Sequence, residues 1–347
     1  MGFDPQSGLM KCPFCGNQQP VPEQSEARVE EVPFDGIALG KDLVKLSDQA
    51  LEVECTGCGS VVQFIPPEVA GTCTFCAAKI VAQPKAANPL IAPNGLLPFA
   101  VTKQQASAHL QRWLGSRWFA PNSLKKMSRP ERFEGVYLPF WTFDADTQSH
   151  YTGQRGEYYW VTESYTAMVD GRPQVQTRQV RHTRWHSASG VVVNQFDDVL
   201  VPATKALPQD RLSRLEPWDL PELKPYEPAF LSGFKAQRYQ VDASAGLERA
   251  KELMEPEILQ TIRLDIGGDE QEIHQVSTRY WNVTLKHLLL PAWVGAYRFR
   301  DKVYQAIVNA RTGEVQGDRP YSAAKIAVLV IAILLAVLAA VMLLSER

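Results

Sequence analysis

Residues 134–148 read EGVYLPFWTFDADTQ, a run of aromatic and β-branched residues that forms a strand more readily than a helix. Its centre, Leu138-Pro139-x-Trp141, returns as Leu290-Pro291-x-Trp293 within LLLPAWVGAYRF at 288–299. A helical pattern precedes each copy. Before the first, Thr102 stands as N-cap and Gln105 completes a capping box, with Ala106, His109, Leu110, Trp113 and Leu114 recurring on one face. Before the second, Asp242 caps a helix that starts near Ala243 and ends at Met254, ahead of Pro256. Strands are expected over about 271–286, and Asn309-Ala310-Arg311-Thr312-Gly313 reads as the turn between two further strands. The expectation is a β-rich, duplicated α+β domain over 96–321.

A Tyr-rich hairpin follows the first copy, and its return strand gathers Arg178, Arg181, His182, Arg184, Trp185 and His186 in QTRQVRHTRWH. Such a cluster can bind phosphate or a partner, or serve as acid and base. With Asp170-Gly171 as a two-residue turn, facing residues sum to 341, which sets Glu163 against Arg178, Trp160 against Arg181 and Glu157 against Arg184. Cross-strand charge pairs and a cation–π contact then account for most of the cluster. Pro173 stands close to the turn.

All six cysteines fall in Cys-x-x-Cys pairs: Cys12/Cys15, Cys55/Cys58 and Cys73/Cys76. Metal knuckles pair this way, and with no signal-peptide pattern in the opening residues the compartment is expected to be reducing. In CTGCGSVVQFIPPEVAGTCTFC (55–76), 14 residues separate Cys58 from Cys73, enough for a hairpin that brings two knuckles onto one ion. Cys55, Cys58, Cys73 and Cys76 would hold a structural Zn2+ as four thiolates, a closed set with no open position for catalysis. Phe64 and Pro66 precede Cys73 as Phe3 and Pro5 precede Cys12, so Cys12 and Cys15 are half of a second site in a repeated unit. In that register the missing pair falls before Met1, and the expectation is a start that lies upstream. An alternative is that Cys12 and Cys15 are a relic or take ligands from elsewhere.

The chain therefore divides into a truncated first ribbon half (1–16), an acidic Pro-rich linker (17–50), a four-cysteine zinc ribbon (51–82), a further linker, the duplicated domain, and IAVLVIAILLAVLAAVMLL at 326–344. That last run has no charge or proline, and as a helix it extends about 28 Å against a hydrocarbon core of about 30 Å. It reads as a single membrane span. Arg311, Arg319 and Lys325 flank it upstream and Arg347 downstream, which places the N-terminal domain in the cytoplasm and the span in the inner membrane.

Charge argues against nucleic acid as partner. Net charge is −2, and residues 1–90 carry six Lys/Arg against eleven Asp/Glu, a balance of 6 − 11 = −5. Phosphate contacts need cations, so the ribbon suits protein contact. Catalytic patterns fail as well. GIALGK (36–41) has three residues between its glycines where a phosphate loop needs four, and Asp42 replaces the magnesium-binding Ser or Thr. There is no His-Glu-x-x-His and no Gly-x-Ser-x-Gly. Asp144 and Asp146 read as solvated strand-end carboxylates.

Taken together, the tandem knuckles, NGLLPFAVTKQQA, GVYLPFWTFDA, LLPAWVGAYRF and the terminal apolar run resemble a family of bacterial membrane proteins labelled as zinc-ribbon proteins of the transcription-factor-IIB type. The resemblance covers nearly the whole chain. Members begin with a Cys-x-x-Cys before the Phe-x-Pro segment, and that pair is missing here. Relatives are often labelled primosomal protein N′, a superfamily II helicase, whose ATP-binding motifs this sequence lacks. Some are encoded beside SPFH-domain and phage-shock-type membrane proteins. What the resemblance implies is a non-enzymatic adaptor that recruits such partners to the inner membrane, in envelope stress; the alternative is a membrane-tethered nucleic-acid-binding protein that uses the arginine cluster.

Overall fold

The computed structural model describes residues 1–21, 29–35, 43–44, 51–55, 59, 61–64, 70–73, 75, 78–81, 85–86, 90–121, 133–169, 172–299 and 302–345. The fold is mixed α+β and strand-rich. Three long strands lie in one nine-stranded sheet: β1 (Phe133–Val169), β2 (Arg172–Pro202) and β3 (Glu270–Phe299). β1 is antiparallel to both neighbours. Hairpins then add β4 (Lys302–Asn309) and β5 (Val315–Gly317) beyond β3.

These strands outrun the sequence expectation. The strand expected at 134–148 continues into the Tyr-rich hairpin as β1, and the one expected at 271–286 continues through Leu290-Pro291 as β3. Bulges make such length tolerable by absorbing lapses in alternation and adding twist. The β1–β2 register shifts between Phe143 and Ala145, and the β1–β3 register between Asp144 and Asp146 and again between Thr152 and Gly153. Asp198 and Asn282 take φ of 52° and 50° at the first two shifts.

The two Leu-Pro-x-Trp copies face each other, with Leu138 opposite Leu290. Around them the same hydrogen bonds occur twice. Trp141 Nε1–H donates to Val241 O at 2.9 Å, and Trp293 Nε1–H donates to Val101 O at 2.7 Å. Ala203 N–H donates to Pro139 O and Ala310 N–H to Pro291 O. Ala203 O then accepts from Gln240 and Val241, as Ala310 O accepts from Ala100 and Val101. Val101 and Val241 each directly precede a helix cap, so each indole fixes the start of the helix that belongs to the other copy.

Those helices are α1 (Lys103–Ser116), with Thr102 and Gln105 forming the capping box, and α2 (Ala243–Ile266), capped by Asp242. α1 buries Ala106, Leu110 and Leu114 against the cluster that holds Trp293; α2 packs into the cluster that holds Trp141. Contrary to the expected stop at Met254, α2 runs through Pro256 to Ile266. Interior proline costs roughly 3 kcal/mol. Burial of Ile258, Ile262 and Ile266 beyond it returns roughly 1.5–3 kcal/mol each, and Pro256 itself lies on the exposed face of the helix.

The stretches read as linkers are partly built into sheets: 32–33 pairs with β3, and 43–44 pairs with 90–91. At the other end, α3 (Ala323–Ser345) is long and apolar enough to cross a membrane, and none of its best apolar stretch is buried. Lys325 Nζ near its start donates to Trp118 O and Ala120 O, which ties α3 to the chain just past α1.

A β-carbon on Gly246 would stand 2.9 Å from Trp141 Cδ1 and 3.2 Å from Phe143 Cζ. Trp141→Phe, Trp293→Phe and Gly246→Val should therefore each destabilise the chain by about 1–3 kcal/mol in denaturant unfolding followed by circular dichroism. Unchanged midpoints for both Trp variants would contradict the reciprocal clamp.

Candidate functional site

The cysteine knuckles come first. Cys12 N–H donates to Asn17 O at 2.9 Å, and Gly16 N–H, at φ 74°, donates back to Cys12 O at 3.0 Å. Parts of the same geometry recur in the second unit. Cys73 N–H donates to Ala78 O at 2.7 Å, and Gly59 N–H, at φ 71°, donates to Cys55 O at 2.8 Å. Only glycine takes that φ without strain. Adding 61 turns the pairs Met10–Gln19 and Lys11–Gln18 into Gly71–Ile80 and Thr72–Lys79, which are paired as well.

Cys55 and Cys73 are each 2 % exposed and share a core cluster with Phe75, Leu97 and Leu290. Gln240 Nε2 donates to Gly59 O at 2.6 Å, and Gln305 Nε2 donates to Phe75 O. The knuckles are thus seated on the main domain. Cys58 and Cys76 lie outside the described residues. Cys12 is half-buried and Cys15 exposed, beside a Phe14 that is 97 % exposed. Backbone N–H groups of Cys15 and Phe14, aimed at the Cys12 sulfur, hold that thiol below its ordinary value and favour the thiolate.

The arginine cluster lies on an arm. β3 begins at Glu270, opposite Gly156, so Glu157–Val169 and Arg172–Arg184 run on as a two-stranded ribbon. At about 3.3 Å per residue the ribbon is roughly 40 Å long. Facing residues sum to 341, as expected, up to Val169 opposite Arg172; Asp170 and Gly171 lie outside the described residues. The side chains pair differently from the expectation. Arg178 does reach Glu163 at 3.1 Å, but Glu157 binds Arg155 at 2.6 Å in place of Arg184. Arg181 lies over Tyr158 at 4.1 Å, not over Trp160, and Arg184 over Tyr159 at 4.9 Å. A twisted ribbon brings diagonal neighbours together, and a ring face attracts a guanidinium at that distance. His182 stacks on Tyr159, and His186 stands 3.7 Å from Glu157. Trp160 stays 63 % exposed, Met168 70 % and Val175 75 %.

Asp144 is not the solvated carboxylate its position implied. The bulges fold Asp197 and Asp198 around it, and the strap at 29–35 brings in Glu31; one oxygen each from Glu31, Asp144 and Asp197 lie within 4.8 Å of one another. Asp198 N–H donates to Asp144 Oδ1 at 2.7 Å. The Lys286 ammonium, nearly buried, stands 3.1 Å from Glu31 and 2.7 Å from Asp198. Burial, and then the hydrogen bond with Glu31, push Asp144 up to about 6; the same shared bond pulls Glu31 down. On acidification the pair's first proton therefore goes mainly to Asp144. Asp146 is separate, bonded to Asn282 and Gln195. The signal missed in sequence was a lysine inside the apolar run LKHLLL. Its neighbour His287 is a core residue, lowered to about 4 by burial, with Nδ1–H donating to Ile91 O.

The Bacillus subtilis (strain 168) protein called "Uncharacterized protein YdjG" is 25 % identical over 337 residues, covering 94 % of this chain and 89 % of that relative. No protein-family model matches the chain. No solved structure matches it.

Because Asp144 titrates higher folded than its ordinary 3.8, its contribution to stability is greatest below that value and is lost as pH rises towards about 6. Asp144→Asn mimics the protonated form. It should raise the melting temperature at pH 7.5 by a few degrees, on the order of 1 kcal/mol after solvent screening, and flatten the decline between pH 4 and 6. An unchanged pH profile would contradict the raised titration of Asp144.

Proposed function

We propose that this chain is a non-enzymatic, membrane-anchored zinc-ribbon adaptor. α3 spans the inner membrane and leaves the N-terminal domain in the cytoplasm. Cys55, Cys58, Cys73 and Cys76 hold one structural Zn2+ that fixes the second unit, and Cys12 and Cys15 offer half of another site. The chemistry of the donors supports this: two cysteines buried to 2 % sit in a knuckle geometry, and thiolate sulfur is the ligand set zinc prefers.

The observation that carries the adaptor reading is the arm. It runs past the third strand and displays Trp160 and Tyr165 among arginines, the residue types that dominate protein-contact hot spots, with Met168 and Val175 adding exposed apolar surface. Its base lies far from α3 along the sheet, since β5, which leads to α3, pairs with β4 beside the opposite end of β3. A protein bound to the arm is thereby held away from the bilayer. By resemblance, the partners are SPFH-domain or phage-shock-type membrane proteins. Glu163 offsets the charge of Arg178, and tyrosine rings cover one face each of Arg181 and Arg184, so contact with a protein surface is favoured over a phosphate backbone that needs many cations.

The test is affinity capture of the full chain from gently solubilised membranes beside a Cys55→Ser/Cys58→Ser variant, with metal content measured on both. The expected result is zinc and discrete partner proteins with the wild type, both lost in the variant. Capture of salt-sensitive nucleic acid in place of proteins would overturn the reading.

A further inference from the structure

α3 is bonded to the domain on both sides of its first residue. Ser322, just ahead of it, donates its N–H to Phe119 O at 2.8 Å, and Lys325 Nζ in its first turn donates to Trp118 O at 3.0 Å and Ala120 O at 2.9 Å. The turn that receives these bonds is itself held. Ala120 N–H donates to Arg117 O at 3.1 Å, and the fully buried Ala120 packs in the cluster that contains Leu110 and Leu114 of α1. The start of α3 and the residues after α1 thus form one joined surface.

Two large aromatic side chains project from that surface: Trp118 is 74 % exposed and Tyr321 60 %. Each carries an apolar ring and a hydrogen-bonding tip, the combination enriched where a side chain meets hydrocarbon at one end and water at the other. Arginines lie beside them. Arg319 stands over the Tyr321 ring at 5.5 Å, and Arg117, next to Trp118 in the chain, lies over the Trp113 ring at 5.1 Å. Asp318, the acid that precedes Arg319, is bonded to Arg211 at 2.5 Å, so its charge is offset within the domain.

Length fixes the depth of these groups. Ser322 lies four residues before Ile326, where the apolar run begins, and four residues of helix extend about 6 Å. The interfacial layer of a bilayer is roughly 5–7 Å deep on each side of the hydrocarbon core. Groups bonded directly to Ser322 and Lys325 therefore fall within that layer when α3 spans the bilayer.

We propose that Trp118 and Tyr321 form a second contact between the domain and the bilayer, seated in the lipid headgroup layer with their rings towards the hydrocarbon and with Arg117 and Arg319 towards the lipid phosphates. The contact rests on the reading of α3 as a membrane span. It makes the anchor rigid: the domain keeps one tilt on the membrane, and the arm keeps one direction.

The experiment is fluorine NMR of the full chain labelled with 5-fluorotryptophan, in phosphatidylcholine–phosphatidylglycerol nanodiscs with and without a gadolinium chelate on the lipid headgroup. Trp118→Phe assigns the Trp118 signal, and Trp160→Phe assigns that of Trp160, which is 63 % exposed on the arm. Both substitutions fall on exposed side chains, and thermal unfolding checks that each variant folds. The expected result is co-elution with the discs, loss of the Trp118 signal in the gadolinium discs and retention of the Trp160 signal. Co-elution with a retained Trp118 signal would overturn the proposal and leave α3 as a span, and a retained signal that shifts when two chains share a disc would assign the ring to contact between copies instead. Loss of both signals would overturn it too, since it marks a domain without a fixed tilt. Failure to co-elute with the discs would overturn the reading of α3 and the proposal with it.

Discussion

The indole N–H groups of Trp141 and Trp293, each bonded to the carbonyl just before the other copy's helix cap, are the constraint on which the rest of the structure depends. A carbonyl that points away from a helix start is otherwise buried without a partner. Satisfying it with an indole fixes both the angle at which the helix leaves the sheet and the side chain that covers it. Because each tryptophan reaches across, neither copy completes its own core. α2 lies under Trp141 and α1 under Trp293, which binds the two copies into one domain.

That core carries the outlying parts. The knuckles of the second cysteine unit rest on it through Gln240 and Gln305, and Gln240 directly precedes the Val241 carbonyl that Trp141 holds. The strap at 29–35 is drawn onto β3 by Glu31, whose charge offsets that of the buried Lys286. Asp144 is the acid of this cluster whose titration is pushed up, so a proton taken up there in acid relieves repulsion among the carboxylates, while at neutral pH the Lys286 ammonium offsets them. The long strands then extend beyond these contacts to form the arm.

Much of this was legible in sequence because it is local or periodic. The capping box at Thr102, the Asp242 cap, the sum of 341 across the arm and the apolar C-terminal run each depend on residues close in the chain. The repeated Leu-Pro-x-Trp pointed to two related units, but not to the exchange of helices between them, since no local pattern says which indole meets which carbonyl. Pro256 misled because a local rule was set against three isoleucines whose burial only the tertiary fold reveals. Asp144 misled for the same reason: its neighbours arrive from three other segments, and two bulges shape the site. The Arg181–Tyr158 contact is a diagonal one, which strand twist sets and register arithmetic does not. Cys58 and Cys76 belong to the strongest sequence signal, yet they lie outside the described residues.

The proposed adaptor joins these parts into one sequence of cause: a membrane helix at one end of a long sheet, a rigid core in the middle, and an arm of exposed aromatic and apolar side chains at the other end. The claim that the arm is the surface partners recognise is tested most directly by photo-crosslinking in intact cells. A benzophenone side chain would replace Trp160, 63 % exposed on the arm, or Leu264, 76 % exposed on α2, as control. The account expects a discrete protein adduct from position 160 and none from position 264. No adduct at 160, or equal adducts at both positions, would contradict it.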